Sequence, residues 1–253
     1  MTYTHAIVRR PSREMAAGIT TSSAGPPNTA KAMQQFDAYV EALRGCGIAV
    51  IVLDPLPGHP DAHFVEDTAV VTPDVAVITN PGADARKGEV ASIAAALKPF
   101  RKMARIEAPG TIDGGDVLIM DRHLLIGLSD RTNVHGARQM GQAVAEFGYS
   151  MSTVPVAAGL HFKSSVNAVD TDTLLTTPTF ADHPALAPYR HIVISLREAY
   201  AGNTLLINDH LLMPRGFPDT RNKLQALDKP IIELDTSEFR KMDGGLTCLS
   251  LRF

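Results

Sequence analysis

Residues 67–79 read DTAVVTPDVAVIT, and residues 115–127 read GDVLIMDRHLLIG. Each is an apolar run, a short polar break (Pro73-Asp74, Asp121-Arg122) and a second apolar run. Breaks of this kind favour tight reversals, so each stretch predicts a β-hairpin. The layout recurs as SVNAVDTDTLLTT at 165–177 and NTLLINDHLLMP at 203–214, turning at Thr171-Asp172 and Asn208-Asp209. Helix-period stretches follow: 83–100, 131–148 with Gly148 placed as a C-cap, and a shorter one at 220–228. The proline-interrupted stretch 178–190 is the weakest of the set. After each helix comes one more short strand: MARIEA, SMSTVP, HIVISL and PIIELD.

The N-terminal region fits the same scheme with one strand missing: THAIVRR, the helix NTAKAMQQFDAYVEALRGCG, then AVIVLD. The C-terminal GGLTCLSLRF offers a strand with no helix after it. Five strand-strand-helix-strand units of roughly 40–50 residues are the signature of a repeat architecture. The last strand completes the first unit, and pairing the two ends closes the ring and removes a free edge. The expectation is a five-bladed α/β propeller with pseudo-fivefold symmetry, built as a single catalytic domain over 1–253.

Composition narrows the function. The chain has 253 residues, 45% hydrophobic and 20% charged, with a net charge of -3. No basic stripe with interleaved aromatics suggests nucleic acid, and no apolar run reaches the ~18–20 residues of a membrane span. The first residues lack a signal peptide's apolar stretch, so a cytoplasmic location is expected. Two cysteines make neither a disulfide scaffold nor a zinc site, so each is read singly.

Equivalent loops of a radial repeat point toward one channel, so polar residues at matching places converge. Four stretches qualify: HFVEDTAVV at 63–71, TIDGGDVL at 111–118, GLHFKSSVNAV at 159–169 and MDGGLTCLSLRF at 242–253. DGGD and DGGL echo one another, and paired glycines before a strand permit φ > 0 and close backbone approach to a ligand. Cys248 lies in what reads as an apolar strand, where a lone cysteine is usually a core residue. Cys46, near a helix end, has no polar context. His161 follows Gly159-Leu160 at a loop-to-strand junction. Glu66 and Asp67 open an apolar strand, where adjacent acids are costly unless paired or binding a cation.

Taken in order, FVED, GTIDGGD, GLSDRTN, GLHFKS and DGGLTCLS resemble the dimethylarginine dimethylaminohydrolase family of the guanidino-group modifying, or pentein, superfamily. The resemblance runs from TSS at 21–23 to the terminal SLRF and also implies a five-bladed α/β propeller. It implies hydrolysis of Nω-methylated arginine to citrulline and methylamine or dimethylamine, with no cofactor and no metal. By motif, Cys248 is the nucleophile, His161 the general acid/base, and Asp67 and Asp113 the guanidinium carboxylates. Arg86 and Arg131 take the substrate carboxylate. Asp61, Glu66 and the backbone carbonyls of Ile19 and Met242 complete the pocket and hold the ammonium end. The expected partner is a small guanidino amino acid, bound by a monomer or homodimer.

The resemblance also sets this chain apart from arginine and agmatine deiminases, which carry an acid two residues after the histidine. Here that position is Lys163. Deimination of free arginine and hydrolysis of Nω-hydroxyarginine are the alternatives within the enzyme class. A non-catalytic guanidino-amino-acid sensor is the alternative outside it, and it fits poorly with a retained cysteine and histidine.

Overall fold

The protein is described from a computed structural model, which covers residues 2–156 and 159–253. Its strands and helices alternate as the repeat predicts. In chain order they are β1 (His5–Arg9), α1 (Thr29–Gly45), β2 (Ala49–Leu53), β3 (Ala69–Val71), β4 (Val75–Ile78), α2 (Val90–Leu97), β5 (Lys102–Arg105), β6 (Val117–Met120), β7 (His123–Leu128), α3 (Val134–Ala145) and β8 (Ser150–Pro155). They continue with β9 (Val166–Ala168), β10 (Thr173–Thr176), α4 (Pro178–Ala181), β11 (Arg190–Val193), β12 (Leu205–Ile207), β13 (His210–Pro214), α5 (Pro218–Leu224), β14 (Ile231–Leu234), α6 (Ser237–Arg240) and β15 (Leu251–Arg252).

The strands form five three-stranded sheets: β15-β1-β2, β3-β4-β5, β6-β7-β8, β9-β10-β11 and β12-β13-β14. In each, the first two strands pair antiparallel and the last two parallel. The antiparallel pairs of the four continuous repeats need only the predicted turns, and Asp121 and Asn208 adopt φ of 53° and 52° there. Each parallel pair needs a crossover, supplied by α1 to α5. The first sheet is composite: β15 lies antiparallel to β1, with Leu251 opposite Ile7. Strands β3, β6, β9, β12 and β15 contribute residues to the lining of one central channel.

The helices bury the faces their sequence pattern marks. Ala32, Phe36, Tyr39, Val40 and Leu43 of α1 pack with Val8, Leu246 and Leu249. Asn28 and Asn133 cap α1 and α3, accepting from Lys31 N–H at 3.0 Å and Gly136 N–H at 2.8 Å. The asparagine of the SDRTN stretch is thus a helix cap. Among the described residues, no helix is long and apolar enough to cross a membrane.

Three local expectations are corrected. The stretch 83–100 divides into a 3-10 segment, Asp84–Glu89, which carries the buried Arg86, and α2. In 178–190, Pro178 opens the one-turn α4 and Pro184 opens a separate 3-10 turn, since neither proline can donate to a continuous ladder. Cys248 does not lie in a strand. It sits in a 3-10 turn, Thr247–Leu249, and the strand that follows is only Leu251–Arg252.

Candidate active site

That turn belongs to a set. A 3-10 segment precedes the innermost strand of every sheet: Val65–Thr68 before β3, Gly114–Asp116 before β6, Phe162–Ser164 before β9, Leu196–Gly202 before β12 and Thr247–Leu249 before β15. Asp67 and Cys248 lie within such turns, and Asp113 and His161 are the residues that open them. Equivalent positions in four repeats therefore deliver the candidate side chains to one place. They line a pocket of about 380 Å³, its open mouth included, together with Ile19, Asp61, Phe64, Arg86, Arg131, Leu160, Met242, Asp243 and Gly244.

Both glycine pairs owe their place to close approach. None of Gly114, Gly115, Gly244 and Gly245 has a positive φ, and the left-handed residue here is Asp243, at φ 56°. A Cβ on Gly114 would lie 2.0 Å from the carbonyl oxygen of Glu66. A Cβ on Gly115 would lie 2.8 Å from both Asp67 Oδ1 and His161 Nδ1. On Gly244 and Gly245 it would meet the Phe64 ring at 2.2 Å and Asn203 Oδ1 at 2.3 Å.

His161 stands between two carboxylates. Its Nε2 is 3.0 Å from Asp113 Oδ2, and its Nδ1 is 3.9 Å from Asp67 Oδ1. Burial alone would lower the imidazole pKa, but Asp67, Asp113 and Asp116 more than offset it and hold it up at about 9. The ring is therefore an imidazolium at neutral pH. Asp67 is buried too, which would favour its acid form, yet His161 and Arg86 hold its pKa below the usual carboxylate range. Burial, reinforced by the carboxylates of Glu66 and Asp67, pushes the half-buried Cys248 thiol up to about 12. Without a ligand the sulfur is protonated.

Several carboxylate oxygens are already engaged. Asp67 Oδ1 accepts from Gly115 N–H at 2.9 Å, and its Oδ2 accepts from Arg86 Nη1. Asp113 Oδ1 accepts from Gly82 N–H at 2.9 Å. Arg86 also donates to Glu89 Oε2 at 2.7 Å and to the Phe64 carbonyl at 2.8 Å, so most of its fork is spent on the protein. Among the described residues, the Arg131 guanidinium has no hydrogen-bond partner. Asp61 accepts from Ile19 N–H at 3.0 Å, and burial raises its pKa. Ligand atoms of Asp67, Asp113 and His161 lie within 4.8 Å of one another, a spacing that suits a cation.

Glu66, expected at the ammonium end, is not among the residues that line this pocket. Its carboxylate is turned to the opposite side of the turn, onto Lys163 at 2.7 Å, Arg252 at 2.9 Å and Thr247 at 2.8 Å. Lys163 is correspondingly directed at Glu66 and away from the pocket.

Two residues carry more than the sequence suggested. Asp116, the second acid of DGGD, is fully buried. It accepts from the Phe162 N–H at 2.8 Å and from the hydroxyls of Ser129 and Thr132 at 2.6 Å, joining the GLSDRTN loop to the turn that His161 opens. The repeated acid was the available signal. His63 lies beside Phe64 and Phe239 with neither ring nitrogen partnered among the described residues. Burial, with Arg86 nearby, lowers its pKa to about 3. Nothing in the sequence separates it from the other histidines.

A family model described as eukaryotic N,N dimethylarginine dimethylhydrolase matches residues 21–171. A Pseudomonas aeruginosa protein, N(G),N(G)-dimethylarginine dimethylaminohydrolase, is 41% identical over 253 residues, spanning 99% of this chain and 100% of its own. The chain belongs to the dimethylarginine dimethylaminohydrolase family. A Streptomyces coelicolor protein of the same name is 37% identical, over 98% of this chain and 96% of its own. Among solved structures, a cysteine-to-serine variant of the Pseudomonas aeruginosa dimethylarginine dimethylaminohydrolase, complexed with citrulline, superposes with a TM-score of 0.98 at 40% identity, covering all of both chains. The N-terminal domain of a cyanobacterial arginine dihydrolase shares the fold, with a TM-score of 0.88 at 17% identity over 98% of this chain and 96% of its own.

Proposed function

We infer that the chain hydrolyses Nω-methylated arginine to citrulline and methylamine or dimethylamine, with Cys248 as the attacking sulfur. The observation that carries this reading is His161 between Asp67 and Asp113, its ring nitrogens 3.9 Å and 3.0 Å from their carboxylates, in one small pocket with Cys248. Such a site suits a planar cation better than an anionic or neutral electrophile. Carboxylates fix the plane of a guanidinium and leave its faces open to attack.

The charge states set the order of events. A thiol at about 12 is unreactive until a cation arrives, and a bound guanidinium lowers it by the same electrostatics that Glu66 and Asp67 use to raise it. The proton leaves to solvent, and Sγ adds to the guanidinium carbon. The C–N bond to the methylated nitrogen breaks as His161 gives that nitrogen its proton, leaving an S-alkylthiouronium. His161, now neutral, takes a proton from water as the water's oxygen adds to the same carbon. The C–S bond then breaks with the electron pair going to sulfur, the hydroxyl proton passes to the Cys248 thiolate, and citrulline and the Cys248 thiol are released. A solved adduct of a histidine-to-glycine family member with S-methyl-L-thiocitrulline, 40% identical, supports the covalent step.

The rest of the pocket fits an α-amino acid. Arg131, with open donors, and the Arg86 edge that lines the pocket take the carboxylate. Asp61 and the carbonyls of Ile19 and Met242 take the ammonium. A methylated substrate is favoured over free arginine because Asp67 is already engaged by Gly115 and Arg86, and because residue 163 is a lysine turned onto Glu66 and not a further acid. Fewer acceptors are left for terminal N–H groups. Since three continuous repeats and the composite blade bring their side chains to one pocket, we read 1–253 as one catalytic domain. Its free thiols, Cys46 and Cys248, suit a reducing compartment such as the cytoplasm.

The test is citrulline release from arginine, monomethyl-, dimethyl- and hydroxyarginine by the parent and Cys248→Ser proteins. Highest kcat/KM on the methylated substrates, with turnover lost and ligand binding kept in the serine variant, is expected. Parent-like turnover by Cys248→Ser would refute the assignment.

A further inference from the structure

Behind the pocket, on the far side of the turns that carry the pocket residues, the central channel continues as a separate and larger cavity of about 990 Å³, its open mouth included. Four charged or hydroxyl side chains sit where the two spaces back onto each other: Glu66, Lys163, Thr247 and Arg252. All four line the rear cavity, and none lines the pocket. Three of them are close chain neighbours of pocket residues. Glu66 precedes Asp67, Thr247 precedes Cys248, and Lys163 comes two after His161.

These neighbours are bonded to one another. Glu66 Oε1 accepts from Lys163 Nζ at 2.7 Å and from Arg252 Nη2 at 2.9 Å, while its Oε2 accepts from Thr247 Oγ1 at 2.8 Å. Arg252 Nη1 donates to the carbonyls of Thr247 at 3.0 Å and Ser250 at 2.7 Å, which bracket Cys248. A second tie comes from Asn203, on the segment that enters β12. Its amide donates to the Lys163 carbonyl and to Thr247 Oγ1, each at 3.0 Å, and its Oδ1 accepts from Thr247 N–H at 3.0 Å. Three turns from three different blades are thus stitched together one residue or two behind their working side chains.

We propose that Thr247 and Arg252, acting through Glu66 and Asn203, are positioning residues that hold the Cys248 turn in register with those of Asp67 and His161. The inference rests on Cys248 being the nucleophile. A buried ion cluster is a poor way to gain stability, because desolvating the ions cancels much of their attraction, and apolar side chains could fill the same space. What such a cluster does supply is direction. Hydrogen bonds of fixed geometry place the sulfur relative to the carboxylates that orient the guanidinium, and misplacement of reacting groups by an ångström is costly to the rate. The planar fork of Arg252 spans Glu66 and two carbonyls at once, which a point charge cannot do.

The test compares Thr247→Val, Thr247→Ser and Arg252→Lys with the parent, alongside Cys248→Ser. Readouts are kcat and KM for dimethylarginine, the single-turnover rate of adduct formation, and folded fraction from thermal melts. Thr247→Val is expected to lower kcat and adduct formation at least about tenfold with KM little changed, and Thr247→Ser to restore both. Arg252→Lys is expected to show the same kcat-weighted loss, and it serves as the test should the valine variant fail to fold. Parent-like kcat in folded Thr247→Val or Arg252→Lys, a change confined to KM, or a loss no greater than the unfolded fraction would overturn the proposal. Turnover by Cys248→Ser would instead overturn the reading of the site on which it rests.

Discussion

Gly115→Ala adds one methyl group at the most crowded point of the site. The new Cβ would lie 2.8 Å from Asp67 Oδ1, 2.8 Å from His161 Nδ1 and 2.9 Å from His161 Cγ. Ordinary contacts of carbon sit at ~3.5–4.0 Å, so something must yield by about 1 Å. Neither neighbour can swing away freely. Asp67 is held by Arg86 and by the Gly115 N–H itself, and His161 by Asp113 at 3.0 Å. A displacement of that size between reacting groups costs about 10²-fold in rate, or about 2.7 kcal/mol in the barrier. The overpacking should cost ~1–3 kcal/mol of stability. The matched control is Gly45→Ala at the end of α1, where no atom lies within 4 Å of the added Cβ and φ is not positive. That change should leave activity intact and raise stability by ~0.4–1 kcal/mol. The assay is kcat/KM for dimethylarginine, with melting temperatures recorded in parallel. Activity of folded Gly115→Ala within about threefold of the parent, or an equal loss in Gly45→Ala, would show that this contact does not set the geometry.

Two pH responses follow from the buried histidines, with opposite signs. His161 has a folded pKa of about 9, above its value of 6.5 in an unfolded chain, so its contribution is present below pH 6.5 and is lost as pH rises through about 9. It amounts to about 3 kcal/mol, and His161→Gln should flatten the decline of unfolding free energy over that window; equal slopes in both proteins would contradict it. His63 has a folded pKa of about 3, below 6.5, so stability is full above pH 6.5 and is lost as pH falls toward 3. Near pH 5 the loss is about 2 kcal/mol, and His63→Leu should show a shallower acid decline by denaturant titration; parallel acid limbs would count against a neutral, unpartnered ring.

The fold was legible because its signal is repetition. Four hairpins with polar turns, each followed by a helix and a strand, left only the composite first blade to be completed by pairing the chain's two ends. Periodicity is a local property, and the sequence carries it openly. The candidate site was legible to the extent that repeat equivalence and the family motifs pointed to the same positions: Asp67, Asp113, His161 and Cys248. The orientation of a side chain at the head of a strand is not periodic. Glu66 and Asp67 are adjacent acids, yet the 3-10 turn sends one to the pocket and the other to the rear cavity. A one-residue difference of facing cannot be read from FVED. Nor could the apolar flanks of Cys248 distinguish a strand from a turn, because leucines on both sides satisfy either. Asn203 and Arg252 escaped notice because each works on residues far along the chain, as does Arg252 on Glu66, 186 positions away. The glycine pairs read as permissive in the sequence, and what they permit is proximity to Glu66, Asp67, His161, Phe64 and Asn203, with no left-handed backbone.

The composite blade has a bearing on when this protein acquires its reactivity. β15 supplies the fifth inner strand, and the turn carrying Cys248 leads directly into it. During synthesis this segment follows the other four blades out of the ribosome, so Asp67, Asp113 and His161 are all made before Cys248. Docking β15 against β1 is the step that seals the ring, and it is also the step that carries the thiol to its partners. A ring without this last segment would lack Cys248 and the Met242–Gly244 side of the pocket. The pairing that closes the ring is thus also the pairing that completes the pocket.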